Sequence, residues 1–162
     1  MSKQVKAFFR LLKRPLFWVI LVPLAIISCA TIGADFESNF DHDDTITREY
    51  IKAPTDAGDF TLSYLRAGTP GGQRVILVHG TPGDAYGPWK AMLEDVPEGY
   101  EYFAVDRPGF GFTKPKKAVT SLVTHAQVLL PLLDVPAGPR PILVGHSYGG
   151  PVITALAAHY PQ

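Results

Sequence analysis

The chain is predicted to be an α/β protein, a mostly parallel sheet with flanking helices, and three observations carry that prediction. Short apolar runs rich in β-branched and aromatic residues alternate with stretches of helical spacing. Gly and Pro, fifteen of each, cluster at the boundaries between these runs. The segments RVILVHG, YEYFAVDR and RPILVGHS are each apolar and end in polar residues and turn formers. Strands of that kind, alternating with helices, suit a sheet covered on both faces.

The first element lies outside this pattern. Lys3, Lys6, Arg10, Lys13 and Arg14 precede LFWVILVPLAII, and no charged residue falls between Pro15 and Ala34. Basic then apolar is the order of a secretory signal. The uncharged stretch also just suffices for a membrane-spanning helix, although Pro23 disfavours a straight one. A cleaved signal and a retained anchor over residues 1–34 therefore both stay open. Ile26-Ile27-Ser28-Cys29 resembles the lipobox of bacterial lipoproteins, in which the cysteine is lipidated; the competing reading of Cys29 is a buried thiol in an uncleaved anchor. Asp35, Glu37, Asp41, Asp43 and Asp44 follow. The positive-inside bias then predicts a membrane-associated chain with its body extracytoplasmic, on the periplasmic side.

Residues 35–45 are polar and acidic with no apolar period, which reads as a tether between membrane and domain. From Asp35 onward ten Lys and Arg stand against fifteen Asp and Glu, a net charge of about −5. A body this acidic has no electrostatic footprint for nucleic acid. Cys29 is the single cysteine, so no intrachain disulfide forms.

The domain is expected over residues 46–162. TREYIKA and DFTLSYLRA alternate apolar and polar residues around the turn formers Pro54, Asp56 and Gly58, the pattern of a hairpin. RVILVHG and YEYFAVDR are buried strands, and between them Trp89, Met92, Leu93 and Val96 recur at helical spacing. SLVTHAQVLLPLLDV is a second helix, which Pro131 should bend or end. RPILVGHS is a further buried strand, and GGPVITALAAHY a helix rich in small residues.

Three loops carry the chemistry. In Gly145-His146-Ser147-Tyr148-Gly149 a strand turns at once into a helix, which strains the serine and requires small neighbours; Gly145, Gly149 and Gly150 supply them. Ser147 then projects from the carboxyl end of the sheet, with a helix N-terminus behind it that favours negative charge. His79-Gly80-Thr81-Pro82-Gly83 closes the first buried strand. Acyl transfer needs donors aimed at the oxyanion, and the backbone amides of Thr81 and Tyr148 are the natural pair. Asp106-Arg107-Pro108-Gly109-Phe110-Gly111 closes the next strand. All three loops fall where open parallel sheets build their sites.

HGTPG, DRPGFGFT and GHSYGG, in this order and spacing, resemble the α/β-hydrolase fold superfamily over about residues 46–162. The resemblance implies that family's sheet, a serine nucleophile and an oxyanion loop. Some members, such as haloalkane dehalogenases and many epoxide hydrolases, hold Asp at the nucleophile position; here it is Ser147. That implies a small-molecule ester, thioester or amide substrate and an acyl-enzyme route. HGTPG is also similar to the oxyanion motif of proline iminopeptidase-like members. No metal cluster or nucleotide loop is visible, so no cofactor is expected.

The remaining polar residues are weighed individually. His79 is expected to shape the oxyanion loop rather than act as a base, and Asp106 to fix the DRPGFG turn through local hydrogen bonds rather than serve as triad acid. For Arg107 two roles stay open, loop anchor or substrate contact. His146 sits beside the nucleophile and cannot easily turn back to receive its proton. His125 and His159 lie on helices, where partial exposure is expected.

In this fold the acid and histidine follow the serine in the chain. Residues 148–162 contain no Asp or Glu, and their one histidine, His159, stands roughly three turns along the helix leading away from Ser147. The expectation is an incomplete copy of a larger serine hydrolase, its last strand an exposed apolar edge. The competing expectation is a non-catalytic, membrane-anchored remnant or binding protein with a partial hydrolase fold.

Overall fold

The computed structural model describes residues 45–135 and 138–161. The signal or anchor over residues 1–34, Cys29, and all of the acidic linker except Thr45 lie outside the described residues. Among the described residues no helix is long and apolar enough to cross a membrane.

Alternation of side chains builds the sheet. β1 (Ile46–Ala53) and β2 (Phe60–Gly68) form the hairpin read from their alternation, in register from Ile46 opposite Ala67 to Ala53 opposite Phe60. The Gly58 amide donates to the Thr55 carbonyl at 3.1 Å to close the turn. β3 (Gln73–Val78) lies between β4 (Tyr100–Val105) and β5 (Ile142–Gly145) and runs parallel to both. The strand order is β1-β2-β4-β3-β5.

The expectation of a mostly parallel sheet needs correction, because the sheet is mixed: β1–β2 and β2–β4 are antiparallel, β3–β4 and β3–β5 parallel. The reason lies in the connections. Only residues 69–72 separate β2 from β3, far fewer than the dozen or so a parallel crossover needs, so the chain must reverse. β3 to β4 and β4 to β5 are each joined by a segment holding a helix, and those pairs run in one direction.

Each face of the sheet buries one set of alternating residues. Ile76, Val78, Phe103, Val105, Leu62 and Tyr64 point to the face covered by α2 (Leu122–Leu133) and α3 (Gly149–His159), meeting Ala126, Val128, Leu129, Leu132, Val152 and Leu156. Val75, Leu77, Leu65 and Ala104 point to the other, where Trp89 and Leu93 cover them. These two come from a 3₁₀ turn, Gly87–Trp89, that runs into a short α1 (Lys90–Glu94). Full burial of a Leu such as Leu77 or Leu129 stabilises the fold by about 2 kcal/mol.

α2 begins at Ser121, whose hydroxyl accepts the Thr124 amide at 3.2 Å. Pro131 falls in its last turn and the helix stops at Leu133, two residues on, so the proline ends the helix rather than interrupting its middle. β5 is one of the two edge strands among the described residues, β1 being the other, and Ile142 on it is 46% exposed.

Candidate active site

The site is assembled where β3, β4 and β5 end. After β5 the chain makes the sharp turn read from its glycines: Ser147 has φ +51, the only non-glycine residue with positive φ among the described residues. A left-handed serine costs roughly 1–2 kcal/mol and persists because its surroundings over-determine it. The His146 amide donates to the Val78 carbonyl at 3.0 Å, the Gly149 amide to the His146 carbonyl at 2.8 Å and the Gly150 amide to the Ser147 carbonyl at 2.9 Å. Gly149 rests on β3 so closely that a Cβ there would collide with the Val78 carbonyl oxygen. Ser147 itself is exposed, at the N-terminus of α3.

The loop after β3 comes directly against this elbow. A Cβ on Gly80 would stand 2.7 Å from the Ser147 Cβ, so a glycine is required for the approach. Thr81, exposed, follows Gly80, and Tyr148, half-buried, follows Ser147. No hydrogen bond among the described residues engages either the Thr81 or the Tyr148 amide.

His79 occupies the structural position expected of it. It is fully buried, with Nδ1 2.6 Å from the Gly80 carbonyl oxygen and Nε2 accepting the Arg107 amide at 3.1 Å. Those partners fix the neutral tautomer with the proton on Nδ1. Burial, followed by the neighbouring Arg107 cation, pushes its pKa down to about 3.

Asp106 does more than fix a local turn. Oδ2 accepts Arg48 Nη1 at 2.7 Å, Ser63 Oγ at 2.8 Å and the Phe112 amide at 3.1 Å, while Oδ1 accepts the Ala85 amide at 2.7 Å. One carboxylate thus joins the hairpin, the β3 loop and its own loop. Burial pushes its pKa up, opposed by the Arg48 guanidinium and these donors.

Arg107 is the loop anchor of the two roles left open. It is 2% exposed; Nε donates to the His79 carbonyl at 2.8 Å, and Nη2 donates to the Gly80 carbonyl at 2.7 Å and to Thr81 Oγ1 at 2.6 Å. Its guanidinium carbon lies 4.6 Å from the Phe110 ring centroid and 4.8 Å from that of Tyr148. Burial pushes its pKa down to about 10.

The expectation for His125 is overturned. It is 1% exposed, its Nε2 lies 3.0 Å from the Val119 carbonyl oxygen and its ring meets the Tyr148 ring edge-on at 5.8 Å. The reason is packing, because its face of α2 is pressed against α3 and the elbow. Burial pushes its pKa down to about 4. His146 meets Trp89 edge-on at 6.4 Å, and His159 stands at the far end of α3.

Two functional contacts were missed from the sequence: Arg48 reaching Asp106, and Arg107 reaching Thr81. The second had a signal. Adjacent residues leaving a strand point to opposite sides, so an Asp106 turned to the hairpin sends Arg107 to the β3 loop. A groove of about 510 Å³ lies by the hairpin turn, lined by Lys52, Phe60, Thr61, Lys114 and Pro115 and by none of the residues of the elbow.

Comparison with known proteins agrees with this fold. The alpha/beta hydrolase fold family matches residues 73–162. The chain is 33% identical over 107 residues to a dihydrolipoyllysine-residue acetyltransferase component of the acetoin cleaving system of Cupriavidus necator, covering 66% of this chain and 28% of that one. It is 33% identical over 108 residues to epoxide hydrolase A of Mycobacterium tuberculosis, covering 62% and 33%. Among solved structures, a thermophilic esterase from Thermogutta terrifontis superposes with a TM-score of 0.57 at 30% identity, over 70% of this chain and 41% of that one. An epoxide hydrolase from Vigna radiata, at 22% identity, shares the fold with a TM-score of 0.59 over 75% and 37%. The chain spans about a third of the length of the curated relatives it matches.

Proposed function

The chain belongs to the alpha/beta hydrolase fold family, and on that premise we propose that it is built for serine-dependent hydrolysis of ester, thioester or amide bonds. The observation that carries the reading is Ser147 at φ +51, exposed on the turn between β5 and α3. A strained, exposed serine at a helix N-terminus is the arrangement this chemistry needs.

In the proposed reaction Ser147 Oγ attacks the carbonyl carbon and gives its proton to a base, while the carbonyl π electrons move to oxygen. The Thr81 and Tyr148 amides donate to that oxyanion. Collapse restores the carbonyl and breaks the bond to the leaving alcohol, thiol or amine, which takes the proton from the base. Water, activated by the same base, then cleaves the acyl-Ser147 ester. Serine rather than aspartate at the elbow distinguishes this route from an alkyl-enzyme route.

The base is not His79 or His125, both buried, each with a ring nitrogen on a backbone carbonyl, and both made weak bases by that burial. His159 is roughly 15 Å along α3 from the elbow at 1.5 Å per residue. The proposal therefore assigns the base to a group outside the described residues, in the same polypeptide or a second one. The basic-then-apolar order of residues 3–27 supports an extracytoplasmic, membrane-associated setting for the substrate.

Labelling with a fluorophosphonate probe, beside a Ser147→Ala control, tests the reading. Labelling that the control abolishes is the expected result for an activated serine. Folded protein that stays unlabelled, alone and together with segments supplying a base, would overturn it in favour of a non-catalytic, membrane-anchored binding protein.

A further inference from the structure

We propose that Arg107 is a positioning residue for the oxyanion donors: a single buried guanidinium holds both the loop carrying the Thr81 amide and the ring of Tyr148. The proposal rests on the reading of Thr81 and Tyr148 given above and deepens it.

Three observations support it. Arg107 donates to the carbonyls of His79 and Gly80 and to Thr81 Oγ1, so its fork fixes three successive residues of the loop. Gly80, in the middle of that run, is the residue whose backbone lies against Ser147. The same guanidinium faces the ring of Tyr148, whose amide belongs to the other side of the site. Loop and elbow come from segments 66 residues apart, counting from Thr81 to Ser147, and Arg107 touches both.

The charge points the same way. No ion pair among the described residues includes Arg107, and the adjacent Asp106 is turned to Arg48 instead. A buried cation without a carboxylate is a costly way to stabilise a fold. Here the guanidinium is taken up instead by the carbonyls and hydroxyl of the loop that carries the Thr81 amide. A planar fork can hold two carbonyls and a hydroxyl at once, which a lysine ammonium on a flexible stem cannot.

The test is site-resolved amide hydrogen exchange on the full chain, comparing the wild type with Arg107→Lys, Arg107→Met and Thr81→Val. Loss of the fork, or of its Thr81 acceptor, should speed exchange at the two hydrogen-bonded amides that tie the loop and the elbow together, that of residue 107 on His79 Nε2 and that of His146 on the Val78 carbonyl, by about tenfold, the equivalent of one hydrogen bond, and leave β2 and β4 unchanged. Arg107→Lys should behave like Arg107→Met despite keeping its charge. Unchanged exchange at both positions overturns the proposal, as does an equal rise across β2 and β4, which would make Arg107 an ordinary core residue. If both Arg107 variants unfold, Thr81→Val decides, since it removes one exposed acceptor: a local rise supports the proposal and no rise overturns it. Fluorophosphonate labelling is the separate arm. A wild type that does not label counts against Ser147 chemistry and leaves the exchange result standing; one that does should label about tenfold more slowly after Arg107→Met, by the same loss.

Discussion

Arg48 Nη1 donates to Asp106 Oδ2 at 2.7 Å across 58 residues of chain, locking the outer hairpin to the loop that follows β4. Asp106 is fully buried and the Arg48 side chain is 16% exposed. Because a carboxylate with four donors stands at this junction, Asp106→Ala takes the acceptor from all four, leaving Arg48 Nη1 only Ser63 Oγ, and should destabilise the chain by about 3 kcal/mol or more. Arg48→Met removes one donor and leaves three, so its cost should be smaller, about 1–3 kcal/mol. Urea midpoints at unchanged m-value measure both.

Gly149 and Gly150 are neighbours at the start of α3 with opposite demands. A Cβ at Gly149 would strike the Val78 carbonyl, whereas one at Gly150 meets nothing within 4 Å. Gly149→Ala should therefore separate α3 from β3, lower stability by about 2 kcal/mol or more and distort the elbow. Gly150→Ala should be neutral or stabilise by up to about 1 kcal/mol through helix propensity. Thermal unfolding of the two variants side by side would show the contrast, and equal shifts would contradict the close approach.

The strain at Ser147 is measurable. With φ at +51, glycine relieves it and alanine does not. Ser147→Gly should be more stable than Ser147→Ala by about 1 kcal/mol, with both unable to form a probe adduct. A Ser147→Ala variant as stable as Ser147→Gly would show that the turn is unstrained.

Two buried neutral histidines make the fold acid-sensitive. Burial holds His79 down to about 3 and His125 down to about 4, below the ordinary 6.5 they regain on unfolding. The unfolded chain then binds more protons below pH 6.5, and stability present above that pH is lost as it falls toward the folded values. Between pH 6.5 and 5, above the carboxylate range, each histidine should remove up to about 1.4 kcal/mol per pH unit. Replacing His125 with Phe, which keeps a ring against Tyr148, should flatten the slope in chemical denaturation measured across that interval.

Much of the fold and site was legible because the signals are local. Alternation in TREYIKA and DFTLSYLRA and the apolar runs of RVILV, YFAV and PILV depend on neighbours two residues apart, and they placed β1 to β5. Gly145 and Gly149 around Ser147 mark a turn that only small residues tolerate, and that turn is present, whereas Gly150 has room for a Cβ. Pairing was not legible in the same way. That β2 lies beside β4 rather than β3 depends on contacts between residues about 33 to 41 apart, from Gly68 opposite Glu101 to Tyr64 opposite Val105. The burial of His125 follows from the packing of α2 on α3, since a helix face is polar or apolar only with respect to what covers it. The sequence by itself determined which residues stand at the carboxyl ends of the strands, because strand ends and turn formers are neighbours in the chain. Only the tertiary structure decided what those residues touch: Asp106 toward Arg48, Arg107 toward Thr81 and Tyr148. Hydrogen bonds and ring contacts between distant segments exist only after the sheet has brought those segments together.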